Sequence, residues 1–435
     1  MLPEFPAMLR GVGVWGSSDM GRVEEIASTG AVAGGAQPFR RRVFYIPGYD
    51  PIHPRRYREL YRKEGAAQAA LSGYRIALQP RTVKGPYGWR VTGTMEAGVA
   101  ETEVEVLVWS DIVRGSMAQG IAATYLQLIR TAWAYIGSGA LFRLMRLRKG
   151  PMIAALYPIV MLLAQLGLAC LAGWAIGAAV AIWLPWGIGL GAGIGVVGAA
   201  LVWFRRKDHK LYAYYLMHDY AYSAQSGGAN PPGLEARMRE FGQSIRAALE
   251  GGHDEVLVVG HSSGAHVGVS ILADLIRAGL PAGGPALSFL TLGQVVPMVS
   301  FLPGAARLRG DLNYLSTRDE LVWVDVTAPG DGCAFALCDP VAVSGVAPAG
   351  QKWPLVFSAA FTQTLPPARW KELRWRFFRL HFQYLCAFDA LPGRADDYDY
   401  FRITAGPQTL GARLGARPPS KSRIDRAVNR FTTTA

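Results

Sequence analysis

Short apolar runs alternate with amphipathic stretches along most of the chain. Runs rich in β-branched and aromatic residues, the composition of strands, lie at 42–47, 74–78, 88–95, 103–108, 255–259, 287–292 and 321–326. Stretches with the 3.6-residue period of helices lie at 55–71, 118–148, 234–249, 265–276 and 369–388. Because strands separated by helices form parallel sheets covered on both faces, the pattern predicts an α/β fold with a mostly parallel sheet.

One stretch, residues 151–204, departs from this pattern because its 54 residues include no Asp, Glu, Lys, Arg or His. As a single helix it would be about 80 Å long, whereas the hydrocarbon layer of a membrane is about 30 Å thick. It must therefore cross a membrane twice or fold back. Pro185 between Trp183 and Trp186 combines a helix breaker with aromatic rings that favour the membrane interface. We therefore predict a turn near 182–187 and spans near 152–179 and 185–204.

Small residues recur every four positions in the second span. They form two rows, Gly187, Gly191 and Gly195 in one and Gly189 and Gly193 in the other. Such rows let a partner helix approach closely, and the first span is the expected partner.

Both flanks of this hairpin are basic, with Arg143, Arg146, Arg148 and Lys149 before it and Arg205, Arg206, Lys207 and Lys210 after it. Two crossings return the chain to the same side, and the positive-inside rule places that side in the cytoplasm. The net charge of +13 suits either nucleic acid or an anionic lipid surface. The apolar hairpin favours the membrane lipid bilayer as the partner, and no nucleic acid is expected.

The composition shifts divide the chain into five segments. They are a flexible leader at 1–37, the N-terminal part of the folded domain at 38–150, the hairpin at 151–204, the C-terminal part at 205–410 and a solvated basic tail at 411–435. The leader has no secretory-signal pattern. The four cysteines show neither a disulfide framework nor metal-ligand spacing, so we expect a reducing compartment and no metal or cofactor.

The motif with the clearest chemistry is Gly-His-Ser-Ser-Gly at 260–264, between an apolar run and an amphipathic one. This strand–turn–helix context is that of a nucleophile elbow, in which the serine at the apex, here Ser262, has a strained backbone and an exposed hydroxyl. A side chain at Gly260 or Gly264 would collide with the neighbouring strand or helix. The elbow leaves the Ser263 N–H aimed at a developing oxyanion.

On this motif the chain resembles the α/β-hydrolase superfamily, and its elbow is similar to that of lipases and esterases. The resemblance covers about 40–115 and 230–390. It implies the chain order serine, acid, histidine. Only His266 and His381 follow Ser262 in the sequence, and His266 lies on the elbow helix. This leaves His381 as the base, unless it is an ordinary histidine packed among aromatic residues.

The acid is expected in the loop after the strand 321–326, where Asp331 is the first choice. Asp325 inside the strand and Asp339 further along the loop remain alternatives. The second oxyanion donor is expected after the first strand, from the Tyr49 N–H or, next, from Gly48. Asp50 should turn its carboxylate away from that site, since it would oppose the developing negative charge.

These residues predict a membrane-anchored serine hydrolase that cleaves an acyl ester or lipid through an acyl-enzyme intermediate. Thioesterase, peptidase and acyltransferase activities use the same groups and stay open. The alternative is a catalytically silent, hydrolase-like module for interactions at the membrane. Transport through the hairpin is disfavoured because the spans carry no ionisable group.

Overall fold

The chain forms a mixed eight-stranded sheet with helices. The computed structural model describes residues 37–81, 85–96, 98–389 and 398–434. Apart from residue 37, the predicted leader lies outside the described residues. The strands are β1 Phe39–Ile46, β2 Arg75–Pro80, β3 Gly88–Met95, β4 Gly98–Val106, β5 Glu255–His261, β6 Ala286–Leu292, β7 Leu321–Thr327 and β8 Leu355–Ser358.

The strands are arranged in the order β2-β3-β4-β1-β5-β6-β7-β8. The pairs from β4 through β1, β5, β6 and β7 to β8 are parallel, whereas β2, β3 and β4 form an antiparallel meander. The predicted mostly parallel sheet is thus confirmed, with one antiparallel edge. The carboxyl ends of β1, β5, β6 and β7 share one edge of the sheet, which is where open α/β sheets bind ligands.

The α-helices in chain order are α1 Arg55–Ser72, α2 Ser110–Met117, α3 Ile121–Gly137, α4 Ala140–Leu147, α5 Lys149–Ala181, α6 Trp186–Arg206, α7 Asp208–Leu211, α8 Ala213–Ala224, α9 Pro232–Leu249, α10 Gly264–Arg277, α11 Val296–Ser300, α12 Ala306–Leu315, α13 Pro340–Val343, α14 Phe361–Thr364, α15 Pro367–Leu373, α16 Phe377–His381, α17 Tyr400–Ala405 and α18 Leu410–Leu414. Two 3₁₀ turns lie at Gln225–Gly228 and Gln383–Leu385.

Apolar cores lie on both faces of the sheet. Successive side chains of β1 alternate between them, with Val43 and Tyr45 in one core and Phe44 and Ile46 in the other. The first core includes residues of α1, α17 and α18, and the second includes residues of α9, α10 and α12. The strand β1 begins earlier than predicted because Arg41 is buried there as an ion pair with Glu255, at 2.5 Å.

Two helices among the described residues, α5 and α6, are long and apolar enough to span a membrane, with mean hydropathies of 2.1 and 1.9. They lie between β4 and β5 in the chain, and the break between them contains Pro185, where the turn was predicted. Most of their surface is exposed. The exception is the first half of α5, where Met152, Leu162 and Gln165 are buried.

The two helices pack through one of the two predicted glycine rows. A Cβ on Gly189 would lie 2.6 Å from the Gly177 carbonyl oxygen, and one on Gly193 would lie 2.7 Å from that of Gly173. This close approach of α6 to α5 confirms the expected partner. The row of Gly187, Gly191 and Gly195 faces no atom within 4 Å, so it lies on the outward side of α6.

Three sequence expectations differ from the structure. The stretch 118–148 is two helices, since Gly139 takes a left-handed conformation with φ of 71° between them. The stretch 369–388 is likewise broken into short helices. The C-terminal segment is not a solvated tail: Ile424 N–H donates to the Leu337 carbonyl at 2.7 Å, its carbonyl accepts from Asp339, and Ile424 and Val428 pack against a core cluster.

Candidate active site

Ser262 lies at the tip of a tight turn between β5 and α10. Its φ is 57°, a left-handed conformation that costs a non-glycine residue energy and that clusters at functional sites. Two glycines allow the turn: a Cβ on Gly264 would lie 2.2 Å from the Ile46 carbonyl oxygen, and one on Gly260 would lie 2.8 Å from the Ala265 Cα. The strained serine and the two close approaches expected from the motif are therefore present.

The loop after β1 passes directly beside this serine. A Cβ on Gly48 would lie 2.9 Å from the Cβ of Ser262, so only glycine fits there. The Ser262 N–H in turn donates to the Leu292 carbonyl at 2.9 Å, at the end of β6. The ends of three neighbouring strands thus meet around Ser262.

Asp331 and His381, 50 residues apart in the chain, are in direct contact. Nδ1 of His381 lies 2.7 Å from Oδ2 of Asp331, and both side chains are buried. Asp331 also accepts hydrogen bonds from the Cys333 N–H at 2.9 Å and from the Tyr384 hydroxyl at 3.0 Å. A histidine held this way at Nδ1 presents its other ring nitrogen, Nε2, for proton transfer.

Nε2 of His381 is buried and makes no hydrogen bond to any described residue. Its ring lies against Gly293, directly after the residue that accepts from Ser262 N–H, and a Cβ on Gly293 would lie 3.0 Å from His381 Cε1. Gly293 has φ of 53°, so this position favours glycine for two reasons. Ser262 and His381 line the same cavity.

The two alternative acids lie elsewhere. Asp325 is fully buried in β7, where Oδ1 accepts from the Thr291 hydroxyl at 2.6 Å, and burial raises its pKa to about 8. Asp339 caps the N-terminus of α13 by accepting from the Val341 and Ala342 N–H groups. Neither carboxyl forms a hydrogen bond with the His381 ring, whose partner among the described residues is Asp331.

The role of Asp325 as a protonated core group can be tested through pH. Its carboxyl loses its proton near 3.8 in the unfolded chain and near 8 when folded, so its contribution to stability falls as pH rises between these values. Asp325→Asn removes this loss while its amide oxygen can still accept from Thr291. We expect the melting temperature of the variant, relative to that of the wild type, to rise as the pH is raised from about 5 to about 8.5. Calorimetry at a series of pH values measures this difference.

A pH-independent difference would contradict this assignment. Asp319→Asn serves as a control, since the exposed Asp319 has its pKa lowered by a hydrogen bond from Lys352 and should show no such gain.

The two predicted oxyanion donors differ in whether another group of the protein already accepts their hydrogen bond. The Tyr49 N–H donates to Ser263 Oγ at 2.8 Å, so this expected donor already has an acceptor within the protein. The Ser263 N–H makes no hydrogen bond within the described residues. Asp50 turns away as expected: its carboxylate accepts from the Ile52 N–H at 2.9 Å and from the Tyr57 hydroxyl.

Two residues of the site were missed by the sequence reasoning. His261, inside the motif itself, lies with Nε2 3.0 Å from the His381 carbonyl oxygen. Burial lowers the pKa of His261 to about 3, so it is neutral and donates from Nε2. Tyr384 donates to Asp331 while its oxygen accepts from the Ala328 N–H at 2.9 Å. Only the position of His261 beside the serine could have signalled a role.

His261, Ser262 and His381 face a cavity of about 840 Å³, a volume within the range of ligand sites. Its walls are mainly apolar and aromatic, with residues from α5, α8 and α16. Asp219 of α8 also lines it, and burial raises the pKa of this carboxyl to about 7. No hydrogen bond or ion pair to another described residue involves the Asp219 side chain, so it is a polar group open to a ligand.

Three side chains of metal-ligating types meet beside the cavity. Ligand atoms of Asp331, Cys333 and His381 lie within 4.8 Å of one another. Burial raises the pKa of the Cys333 thiol well above its usual value, which disfavours the thiolate that metals bind. Two of the three candidate ligands, His381 Nδ1 and Asp331, already form a hydrogen bond with each other. The arrangement therefore fits a hydrogen-bonded pair better than a metal site.

Comparisons of the chain with protein-family models, with curated proteins and with solved structures found no match in any of the three.

Proposed function

We propose that this protein is a membrane-anchored serine hydrolase of the α/β-hydrolase type that cleaves a carboxylic ester. The observation that carries the proposal is the positive φ of Ser262 in a cavity shared with the His381–Asp331 pair. A serine needs a base to become a nucleophile, and that base needs a partner to fix its tautomer. Strain at Ser262 has no evident structural purpose unless it presents the hydroxyl.

In the proposed reaction, Ser262 Oγ attacks the ester carbonyl carbon while His381 Nε2 accepts the hydroxyl proton. Asp331 accepts from Nδ1–H and stabilises the imidazolium that forms. When the tetrahedral intermediate collapses, the bond to the alcohol oxygen breaks and Nε2 returns the proton to that oxygen. A water molecule then attacks the acyl-enzyme by the same route, which releases the acid and restores Ser262.

The oxyanion is proposed to bind the Ser263 N–H and a second N–H from the Gly48–Tyr49 turn. Ser263 Oγ accepts the hydrogen bond of the Tyr49 N–H at 2.8 Å. A rotation of the Ser263 hydroxyl about χ1 would free this donor for the substrate. The N-terminus of the 14-residue helix α10 lies at the same place and adds a favourable dipole.

The membrane anchor is proposed to be the pair α5 and α6, with the folded domain on the cytoplasmic side. Their flanks carry Lys149 at the start of α5 and Arg205 and Arg206 at the end of α6. The start of α5 and the end of α6 lie on the same side of the helix pair, because the two helices pack antiparallel. The positive-inside rule then assigns that side to the cytoplasm.

A fluorophosphonate probe tests the proposal, since it reacts covalently with an activated serine. The detergent-solubilised protein should be labelled, and peptide mass spectrometry should locate the label on Ser262. The Ser262→Ala variant should not be labelled. Ser223 lines the same cavity, so Ser223→Ala is the matched control and should keep its label.

The alternative is a catalytically silent domain that serves as an interaction module at the membrane. One observation favours it, namely the internal acceptor on the Tyr49 N–H, which leaves the oxyanion site incomplete without a rearrangement. A folded protein that stays unlabelled by the probe would support this alternative and contradict the hydrolase.

A further inference from the structure

We infer that the substrate is a membrane-resident lipid ester whose acyl chain reaches Ser262 from the bilayer along the exposed face of α5. This inference rests on the proposed hydrolase activity and adds the class of substrate and its route. The same helix belongs to the membrane hairpin and forms one wall of the cavity.

The length of α5 brings the cavity close to the membrane. Its 33 residues correspond to about 50 Å, whereas a hydrocarbon layer is about 30 Å thick. The first turns of α5 therefore extend beyond the hydrocarbon layer. The cavity is lined by residues of those turns, Gly150, Pro151, Ile153, Ala154 and Tyr157. Its mouth must lie within about 20 Å of the hydrocarbon boundary, measured along the helix.

A largely exposed apolar stripe follows α5 from the cavity into the span. Ile153, Tyr157, Val160, Ala164 and Leu171 are separated by four, three, four and seven residues, so they share one face of the helix. Ile153 is 65% exposed, Val160 61% and Leu171 60%. Exposed apolar surface of this extent marks an interaction site, and its continuity with the span identifies lipid as the occupant.

A second group of cavity-lining residues, Trp375 and Phe377, here called the aromatic lip, has the chemistry of a membrane interface. Trp375 and Phe377 are 72% and 46% exposed. Tryptophan concentrates at the level of lipid headgroups. The neighbouring guanidinium of Arg374 lies over the Trp375 ring at 5.6 Å, and such cations are attracted to anionic headgroups. The acyl chain would therefore contact both the apolar face of α5 and the aromatic lip on its way to Ser262.

The experiment compares two esters hydrolysed by the full chain reconstituted in phosphatidylcholine vesicles. One is p-nitrophenyl palmitate within the bilayer, and the other is p-nitrophenyl acetate in water. Val160→Asn places a polar group on the stripe outside the cavity. We expect it to lower the ratio of the palmitate rate to the acetate rate by about tenfold, through lost apolar contact with the chain.

The matched control is Ile129→Asn on α3, since Ile129 is 63% exposed and does not line the cavity. Its rate ratio should equal that of the wild type. An unchanged ratio in Val160→Asn, or an equal fall in both variants, would overturn the route.

A second pair of variants avoids the membrane helix, in case Val160→Asn fails to insert. Trp375→Ala at the lip should lower the same ratio, whereas Trp133→Ala, 78% exposed on α3, should not. An unchanged ratio in Trp375→Ala would overturn the inference. Failure of the proposed hydrolase activity can be distinguished from failure of the lipid route, because in the first case neither ester is hydrolysed and Ser262 is not labelled by the fluorophosphonate probe. That result would overturn this inference as well.

Discussion

The His381→Ala variant is expected to lose the proposed ester hydrolysis by a factor of about 10⁴ or more, because it removes the ring nitrogen that we propose takes the proton from Ser262. The nearest histidine ring, His261, donates its Nε2–H to the His381 carbonyl. Burial also lowers its pKa to about 3, which makes it a poor base. Initial rates on p-nitrophenyl butyrate in detergent, with fluorophosphonate labelling in parallel, measure the loss.

A matched control is His53→Ala, which removes an exposed histidine outside the cavity and should leave the rate unchanged. Circular dichroism and the melting temperature should show that His381→Ala is folded. Retained labelling in this folded variant would mean that the base lies elsewhere, and the proposed reaction would be wrong.

Removal of the membrane spans is expected to shift the protein from the membrane fraction to the soluble fraction. The deletion has to respect the structure, since the first half of α5 packs against the domain through Met152 and Leu162. The contacts of Gly173 with Gly193 and of Gly177 with Gly189, continued along the helices, place residue 165 opposite residue 201. Residues 166–200 can therefore be replaced by a short Gly-Ser linker.

Ultracentrifugation after an alkaline carbonate wash provides the measurement. The wild type should stay in the pellet, because the exposed apolar surface of two spans binds lipid independently of charge. The deletion variant should appear in the supernatant with its melting transition intact. A wild-type protein that the wash releases would show that the helices pack against protein instead of lipid.

The sequence predicts those parts of the fold that local pattern determines. The strands β3, β6 and β7 lie at or within one residue of their expected bounds. The apolar runs of β6 and β7 are buried on both faces of the parallel part of the sheet. In the antiparallel β3, buried residues alternate with more exposed ones, which is the two-residue period of a strand. The start of β1 was missed because Arg41 reads as a surface residue. Its burial depends on distant partners, namely the carboxylate of Glu255, more than 200 residues away, and the backbone carbonyls of Gly406 and Gln408.

The nucleophile elbow was equally predictable, because close backbone approaches require glycine at two positions of the motif. Gly260 and Gly264 stand where any Cβ would strike backbone atoms, and such constraints are visible in the spacing of the motif. The choice among Asp325, Asp331 and Asp339 was not decided by the sequence, because all three follow or lie in the same strand. Which carboxyl meets His381 depends on how the loop 328–339 folds back.

The contacts around His381 depend on tertiary packing that carries no local signal. Tyr384 reaches Asp331 only because the chain after α16 turns into a 3₁₀ segment instead of continuing the expected helix. The C-terminal segment escaped prediction for a similar reason. Its basic composition suggests solvation, whereas Ile424 and Val428 hold it against a distant core cluster.

The hydrogen bond from His261 to the His381 carbonyl has a mechanical consequence. It joins the tip of a central strand to the segment that carries the imidazole, so hydroxyl and ring are fastened to one rigid frame. Any movement that widens the cavity for a bulky molecule must then involve its other walls. In the proposed reaction, the geometry of hydroxyl and imidazole can then stay fixed while those walls move, which would lower the reorganisation required in each catalytic cycle.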